Sequence, residues 1–492
     1  MRKTALLVLT GVSSLMIVGV SVAQKLPRDG GALRSANKSP RLEDLGKYLQ
    51  GKTLTLDQAI RISLVTNHSL ALSEANLLVA QGKTSEAFTV MNPTLGSALD
   101  FIRINDSVEN KTLISDNPQN FNKPIGAEIV NQNVQQKLVG VTAQLPIDIS
   151  GNIRTATQQA KLQEQAYRLD VDRTRNQIVS EVKGAFFDVL RAQALVRVAK
   201  EDLKDTQDRL KDAQSKFDAR VVTKFDVLRG QTDVAAAQQN VIVAKNRFQT
   251  NLGVLNLVIG IQVTTPLAVT DEGAVIQPGP KANAPQSMGN LGAEFDEDLK
   301  EALSQRPEIK EAATSIEAAK KGVTLARRSE LPGLNLSWSY LYAPNAGGTT
   351  PLVHTWAAQA LFSVPIFDGG LARARRREAL GTLEGAQTVQ RQAIDQVTLE
   401  VEQAYLSVEE ARERIEVASA SLTEAREAFK LAQVRYLAGV SARAGISPLL
   451  ELSDAQTALT LAESNQVNAL YDFNSANARL DRAMGRYALK IG

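Results

Sequence analysis

The chain has 492 residues, 56 basic side chains against 53 acidic ones, and no cysteine. That near balance gives no bulk electrostatic case for nucleic acid. The absence of cysteine excludes disulfides, thiolate metal sites, a cysteine nucleophile and lipid attached through a thioether.

Residues 1–23 combine Arg2 and Lys3, an apolar run, and a small-x-small end at Ser21-Val22-Ala23. This pattern predicts a secretory signal peptide, so the mature chain is expected to be exported. No other stretch is long and apolar enough for a spanning helix, so any membrane entry would have to be as strands. Residues 24–51 are polar and broken by Pro27, Gly30, Gly31 and Pro40, as expected of a flexible leader.

A first half is expected over 52–260. Leu54 to Ile60 opens a helix that Thr55 or Thr53 can cap, and helical spacing continues to about Met91, where Asn92-Pro93 stops it. Strands are expected at about 94–104 and 129–145, separated by a polar loop. A helical hairpin follows over 152–258. Its first arm carries a seven-residue ladder, Val182, Val189, Val196, Leu203, Leu210 and Phe217, with Ala185, Ala192, Ala199, Thr206 and Ala213 three places on. A large seam and a small seam of period seven predict a helix that supercoils against neighbours at close range.

Residues 261–294, with Pro266, Pro278, Pro280 and Pro285, read as a linker. The same series is then expected again over 295–487. Strands are predicted at about 334–342, where Leu334, Leu336, Trp338 and Tyr340 alternate with polar residues, and at 354–364. The second helical hairpin covers 371–485. Its ladder runs Val401, Val408, Ile415, Leu422, Phe429 and Tyr436, beside Ala404, Ala411, Ala418, Ala425 and Ala432. Each half thus reads helix, strand, strand, long helix, helix, one plan used twice.

Four strands cannot close a barrel, and an open edge in lipid leaves backbone groups unsatisfied. Several copies would therefore have to share one; two give eight strands and three give twelve, wide enough for a water-filled lumen. The order of elements, together with Leu54-Thr55-Leu56-Asp57-Gln58-Ala59, Val364-Pro365-Ile366-Phe367-Asp368-Gly369-Gly370 and Asp226-Val227-Leu228, resembles the TolC-like outer-membrane efflux proteins over about residues 52–487. The resemblance implies a mostly α protein with a β-barrel segment. A homotrimer would build a 12-stranded barrel in the outer membrane and a long α-helical barrel in the periplasm. It also implies a passive exit duct of a tripartite efflux pump or type I secretion system, working with a periplasmic adaptor and an inner-membrane transporter, in contact with outer-membrane lipid. No cofactor, metal or enzymatic activity is expected.

Carried over residue by residue, the resemblance implies a periplasmic gate at Tyr436, Glu451 and Asp454, with Asp226 as the first-half counterpart. Adaptor contacts are expected at the tips, at Arg220, Val221, Gly439 and Val440. Glu451 and Asp454 lie three apart, which puts both on one helical face, and the same spacing also fits a merely solvated face. Arg220 stands where the family's tip has glycine, and about six extra residues around Arg443 blur a gate arginine. The basic cluster Arg373, Arg375, Arg376 and Arg377 reads as a solubilising helix start, as a charged group at the periplasmic boundary of the membrane, or as a lining of the lumen. A periplasmic coiled-coil scaffold or adaptor that spans nothing is the alternative reading.

Overall fold

The computed structural model describes residues 53–104, 134–271, 275, 292–342, 354–440 and 447–486. The segments expected as signal peptide (1–23), leader (24–51) and hairpin loops (105–133 and 343–353), and Arg443, lie outside the described residues. So does the expected start of the second strand at 129. Among the described residues, no helix is long and apolar enough to cross a membrane.

In chain order the elements are β1 (Thr53–Leu54), α1 (Leu56–Thr66), α2 (His68–Thr89), β2 (Thr94–Ile104), β3 (Val134–Ile147), α3 (Asn152–Asp218), α4 (Lys224–Ile259), β4 (Ala268–Val269), α5 (Gly292–Gln305), α6 (Pro307–Arg328), β5 (Gly333–Tyr342), β6 (His354–Ser363), α7 (Leu371–Ala438) and α8 (Pro448–Ala483). At about 1.5 Å per residue, α3 and α7 are each roughly 100 Å long. The described residues fall into two compact units. One draws on Met1–His68, Ile178–Pro280 and Glu409–Ala478, the other on Ser69–Gln177, Lys281–Val408 and Arg479–Gly492.

The first unit holds the distal parts of both helical hairpins. Val182, Val189, Ala185, Ala192, Ala199, Ala213 and Thr206 of the first ladder are buried, as are Ala411, Ala418 and Ala432 of the second. The small seam is thus where helices meet. At Gly230 of α4 a methyl group would sit 3.1 Å from Leu210 Cδ1, so α3 and α4 approach closely. Thr55 caps α1 through a capping box with Gln58. The single helix expected to Met91 is broken at Asn67, whose backbone is extended while its side chain donates to the Val258 carbonyl at 2.7 Å. Thr66 Oγ1 likewise donates to Ile259 O. β1 and β4 pair in parallel, a contact the sequence reading does not include.

The second unit contains a four-stranded antiparallel sheet, ordered β2-β3-β5-β6. The register gives its two faces different chemistry. One face carries the rows Leu95–Ala143–Trp338–Ala358, Ser97–Val141–Tyr340–Trp356, Leu145–Leu336–Ala360 and Ile147–Leu334–Phe362. The other carries Thr94–Gln144–Ser337–Gln359, Gly96–Thr142–Ser339–Ala357 and Pro146–Asn335–Leu361. On the apolar face Leu95, Trp338, Trp356 and Phe362 are exposed, and Leu99 is 84% exposed. Neither β2 nor β6 has a second partner among the described residues. Such a sheet is not satisfied by the described residues of its own chain.

The helix before the second strand pair also breaks, at Arg306. Pro307 forces the preceding residue out of the helical region, and Arg306 is extended with φ −62° and ψ 130°. Its guanidinium is buried, bonding Glu308 through Nη2 at 2.9 Å and Glu400 through Nη1 at 2.7 Å. Beside it Ala302, Val397, Val401, Ala404, Ala483 and Met484 form an apolar cluster. Both long helices start at a capping aspartate. Asp148 accepts from the backbone of Ile153 and Arg154, and Asp368 from that of Gly370 and Ala372.

Candidate gate at the helical tips

The two hairpin tips belong to the first unit. α3 and α7 end in the same way. Val221 N–H donates to Lys216 O and Arg220 N–H to Phe217 O; Val440 N–H donates to Arg435 O and Gly439 N–H to Tyr436 O. Both are Schellman turns that place one residue in the left-handed region, Arg220 at φ 63° and Gly439 at φ 68°. Glycine adopts that conformation freely, and arginine pays a steric cost of about 1–2 kcal/mol. The four residues expected as adaptor contacts therefore occupy two equivalent, solvent-facing turns, with Val221 and Val440 both exposed.

Between the tips the helices are stitched by polar contacts. Asp226 caps α4, accepting from Thr223 N at 3.0 Å and Thr223 Oγ1 at 2.8 Å. Its other oxygen accepts from Ser447 Oγ at 2.9 Å, and Ser447 sits just before α8. Burial opposes its charge, but the bonds from Thr223 and Ser447 outweigh that and hold its pKa below the ordinary value. One aspartate thus ties the first tip to the second. Further along, Ser453 Oγ donates to Asp233 at 2.9 Å and Thr460 Oγ1 to Asp202 at 3.1 Å.

Tyr436 is buried in a cluster with Ala213, Ala432, Leu449 and Leu452. Lys216 Nζ lies 3.6 Å from the centre of its ring, a cation–π contact. Burial and then the Asp212 carboxylate raise the pKa of its phenol. Glu451 pairs with Arg435 across the second tip. Asp454 is 73% exposed at its side chain and lies 3.9 Å from Arg229. The structure therefore gathers Tyr436, Glu451 and Asp226 into one bonded region, while Asp454 faces solvent. Sequence reasoning missed Ser447, Lys216 and Arg435 as partners. Ser447-Pro448 carries a helix-start signal, but its bond to Asp226 spans 221 residues and has no local trace.

Among the described residues no group of three His, Asp or Glu side chains could hold a metal. The chain matches the family model described as outer membrane efflux protein over residues 59–260 and 299–486. The chain belongs to that family. Its sequence motifs resemble the same proteins.

Similar proteins agree with this membership. A pyoverdine export outer membrane protein of Pseudomonas putida is 23% identical over 466 residues, covering 93% of this chain and 92% of that protein. A toluene efflux pump outer membrane protein, also of Pseudomonas putida, is 24% identical over 372 residues, or 74% of this chain and 73% of its own. Among solved structures, the outer membrane protein VceC of Vibrio cholerae superposes with a TM-score of 0.67 at 18% identity, covering 87% of this chain and 96% of its own. The crystal structures of CusC give a TM-score of 0.69 at 17% identity, over 87% and 92%. As a family member the protein is an outer-membrane efflux channel that extends into the periplasm, with a role in transport.

Proposed function

We propose that three copies of the chain close a twelve-stranded barrel in the outer membrane, and that their helical hairpins together form a periplasmic tube. The carrying observation is the four-stranded sheet, apolar on one face, polar on the other, and open at both edges among the described residues. In lipid the apolar face would turn outward and the polar face would line the lumen. Three copies of four strands remove every edge. On this reading residues 1–23 direct export, and the halves 52–260 and 295–487 are one unit used twice, joined by 261–294. The channel acts as the passive outlet of a tripartite pump or type I secretion system, with an adaptor meeting the tips at Arg220, Val221, Gly439 and Val440 and an inner-membrane transporter supplying energy.

Wild-type protein is expected in outer-membrane fractions as a detergent-stable trimer. Trp338→Arg, placing a charge mid-strand on the apolar face, is expected to destabilise insertion by about 2 kcal/mol per copy and deplete the membrane-bound trimer. A soluble periplasmic monomer from wild type, or unchanged recovery of Trp338→Arg, would favour the scaffold reading instead.

The gate is proposed at the second tip, with Tyr436 and the Asp226–Ser447 bond holding the hairpins together and Glu451 and Asp454 repeated around the axis as acidic rings. Replacing both, as Glu451→Gln with Asp454→Asn, is expected to lower cation selectivity in single-channel recordings. Unaltered conductance and selectivity would return both carboxylates to a solvated helix face.

A further inference from the structure

The register puts the start of β2, the end of β3, the start of β5 and the end of β6 at one end of the sheet, since Thr94 pairs with Gln144, Ile147 with Leu334 and Gly333 with Ser363. The long helices leave from that end, so in a channel extending into the periplasm it is the periplasmic end of the strands. α7 begins eight residues after Ser363 and carries Arg373, Arg375, Arg376 and Arg377 in its first two turns. All four are exposed, and none makes an ion pair among the described residues. Arg154 and Arg327 are exposed at the same end. The aspartates there, Asp148 and Asp368, are already occupied in capping.

Local helix stability does not account for this charge. Cations in the first turns of a helix oppose its dipole, and α7 has no acidic residue in its first turn. Solubility would be met by mixed signs. Directly before the arginines, in the connection from the sheet, Ile366 is 98% exposed and Phe367 90% exposed. Two bare apolar side chains, four unpaired guanidinium groups and an adjoining sheet with an exposed apolar face form the pattern of an interfacial membrane contact. Guanidinium forks match phosphate oxygens in paired hydrogen bonds.

We propose that Arg373, Arg375, Arg376 and Arg377 form a basic belt that binds the phosphate headgroups of membrane lipid at the periplasmic rim of the barrel, with Ile366 and Phe367 seated among the acyl chains. The belt rests on the barrel reading above, and its test separates the two. The full-length protein would be reconstituted into vesicles of phosphatidylcholine alone and into an equal mixture with phosphatidylglycerol. Phosphatidylglycerol retained per trimer would then be counted after detergent extraction and gel filtration. The wild type is expected to enrich phosphatidylglycerol. The quadruple variant Arg373→Gln, Arg375→Gln, Arg376→Gln, Arg377→Gln should insert equally well into both vesicles and retain about fivefold less or lower still. The matching four Arg→Lys changes should keep most of the enrichment. Equal retention by wild type and the glutamine variant would overturn the belt while leaving the barrel intact. Displacement of lipid by inorganic phosphate, beyond that caused by chloride of equal ionic strength, would assign the arginines to a free anion and overturn the lipid contact. Failure of wild type to insert into either vesicle would overturn the barrel and the belt with it.

Discussion

Gly260→Ala is expected to destabilise the protein by about 4 kcal/mol, roughly the sum of a left-handed alanine and a steric clash. Gly260 closes α4 at φ +86°, its N–H donating to Asn256 O and the next residue, Ile261, donating to the same carbonyl. A methyl group there would stand 2.5 Å from Thr66 O, 2.7 Å from Thr66 C and 3.0 Å from Asn67 Cα. These are backbone atoms, and they cannot step aside. Thr66 is bonded to Ile259 O and Asn67 to Val258 O, both in the last turn of the helix that Gly260 ends. Gly439→Ala serves as the comparison, because Gly439 has φ +68° with nothing within 4 Å of the added carbon. It should cost only the conformational part, about 1–2 kcal/mol. Urea midpoints of the two variants, followed by circular dichroism at the helical band, check the difference. Equal midpoints for the two alanine variants would mean that α4 does not rest on the break at Asn67.

Arg306→Met is the other large effect, about 3 kcal/mol, because removing one member of a buried charged set strands the others. Arg306 is among the most buried charged residues described, with Glu308 and Glu400 on its guanidinium, and a methyl group added at Gly485 would stand 3.3 Å from its Cγ. The effect should depend on pH with a defined sign. Burial works against the Glu400 carboxylate, but hydrogen bonds from Gln396 and Arg306 outweigh it and lower its pKa from the ordinary 4.5. A depressed carboxylate contributes stability that is fully present above its unfolded value and is lost as pH falls through the folded one. The wild type should therefore lose part of its advantage over Arg306→Met on acidification below about pH 4.5. Paired urea titrations at pH 7 and in the acid range measure this, and a gap that ignores pH would remove Glu400 from the account.

How much of this could be seen in the sequence depends on how local each cause is. The ladders from Val182 to Phe217 and from Val401 to Tyr436 announce α3 and α7, because heptad spacing is a property of consecutive residues. The alternation of Leu334, Leu336, Trp338 and Tyr340 coincides with β5 for the same reason. Pro307 makes the break at Arg306 readable, whereas nothing near Asn67 forbids a continuous helix. That break is held by carbonyls of Val258 and Ile259, almost two hundred residues away. The same holds at the tips. Gly439 advertises a left-handed turn and Arg220 does not, yet both adopt one, because the Schellman hydrogen bonds override the residue's own preference. Tyr436 and Glu451 were legible as positions, but the partners that hold them, Lys216 and Arg435, follow from packing alone.

The strand edges β2 and β6, unpaired among the described residues, have a genetic consequence under the proposed assembly. A chain whose sheet is finished only by neighbours has a stability that cannot be separated from their quality. If, as proposed, three copies build each barrel and are drawn at random from an equal mixture of sound and defective chains, only about one barrel in eight would be built wholly from sound ones. Alleles that spoil the sheet face without preventing export should therefore act dominantly, while those that block export should be recessive.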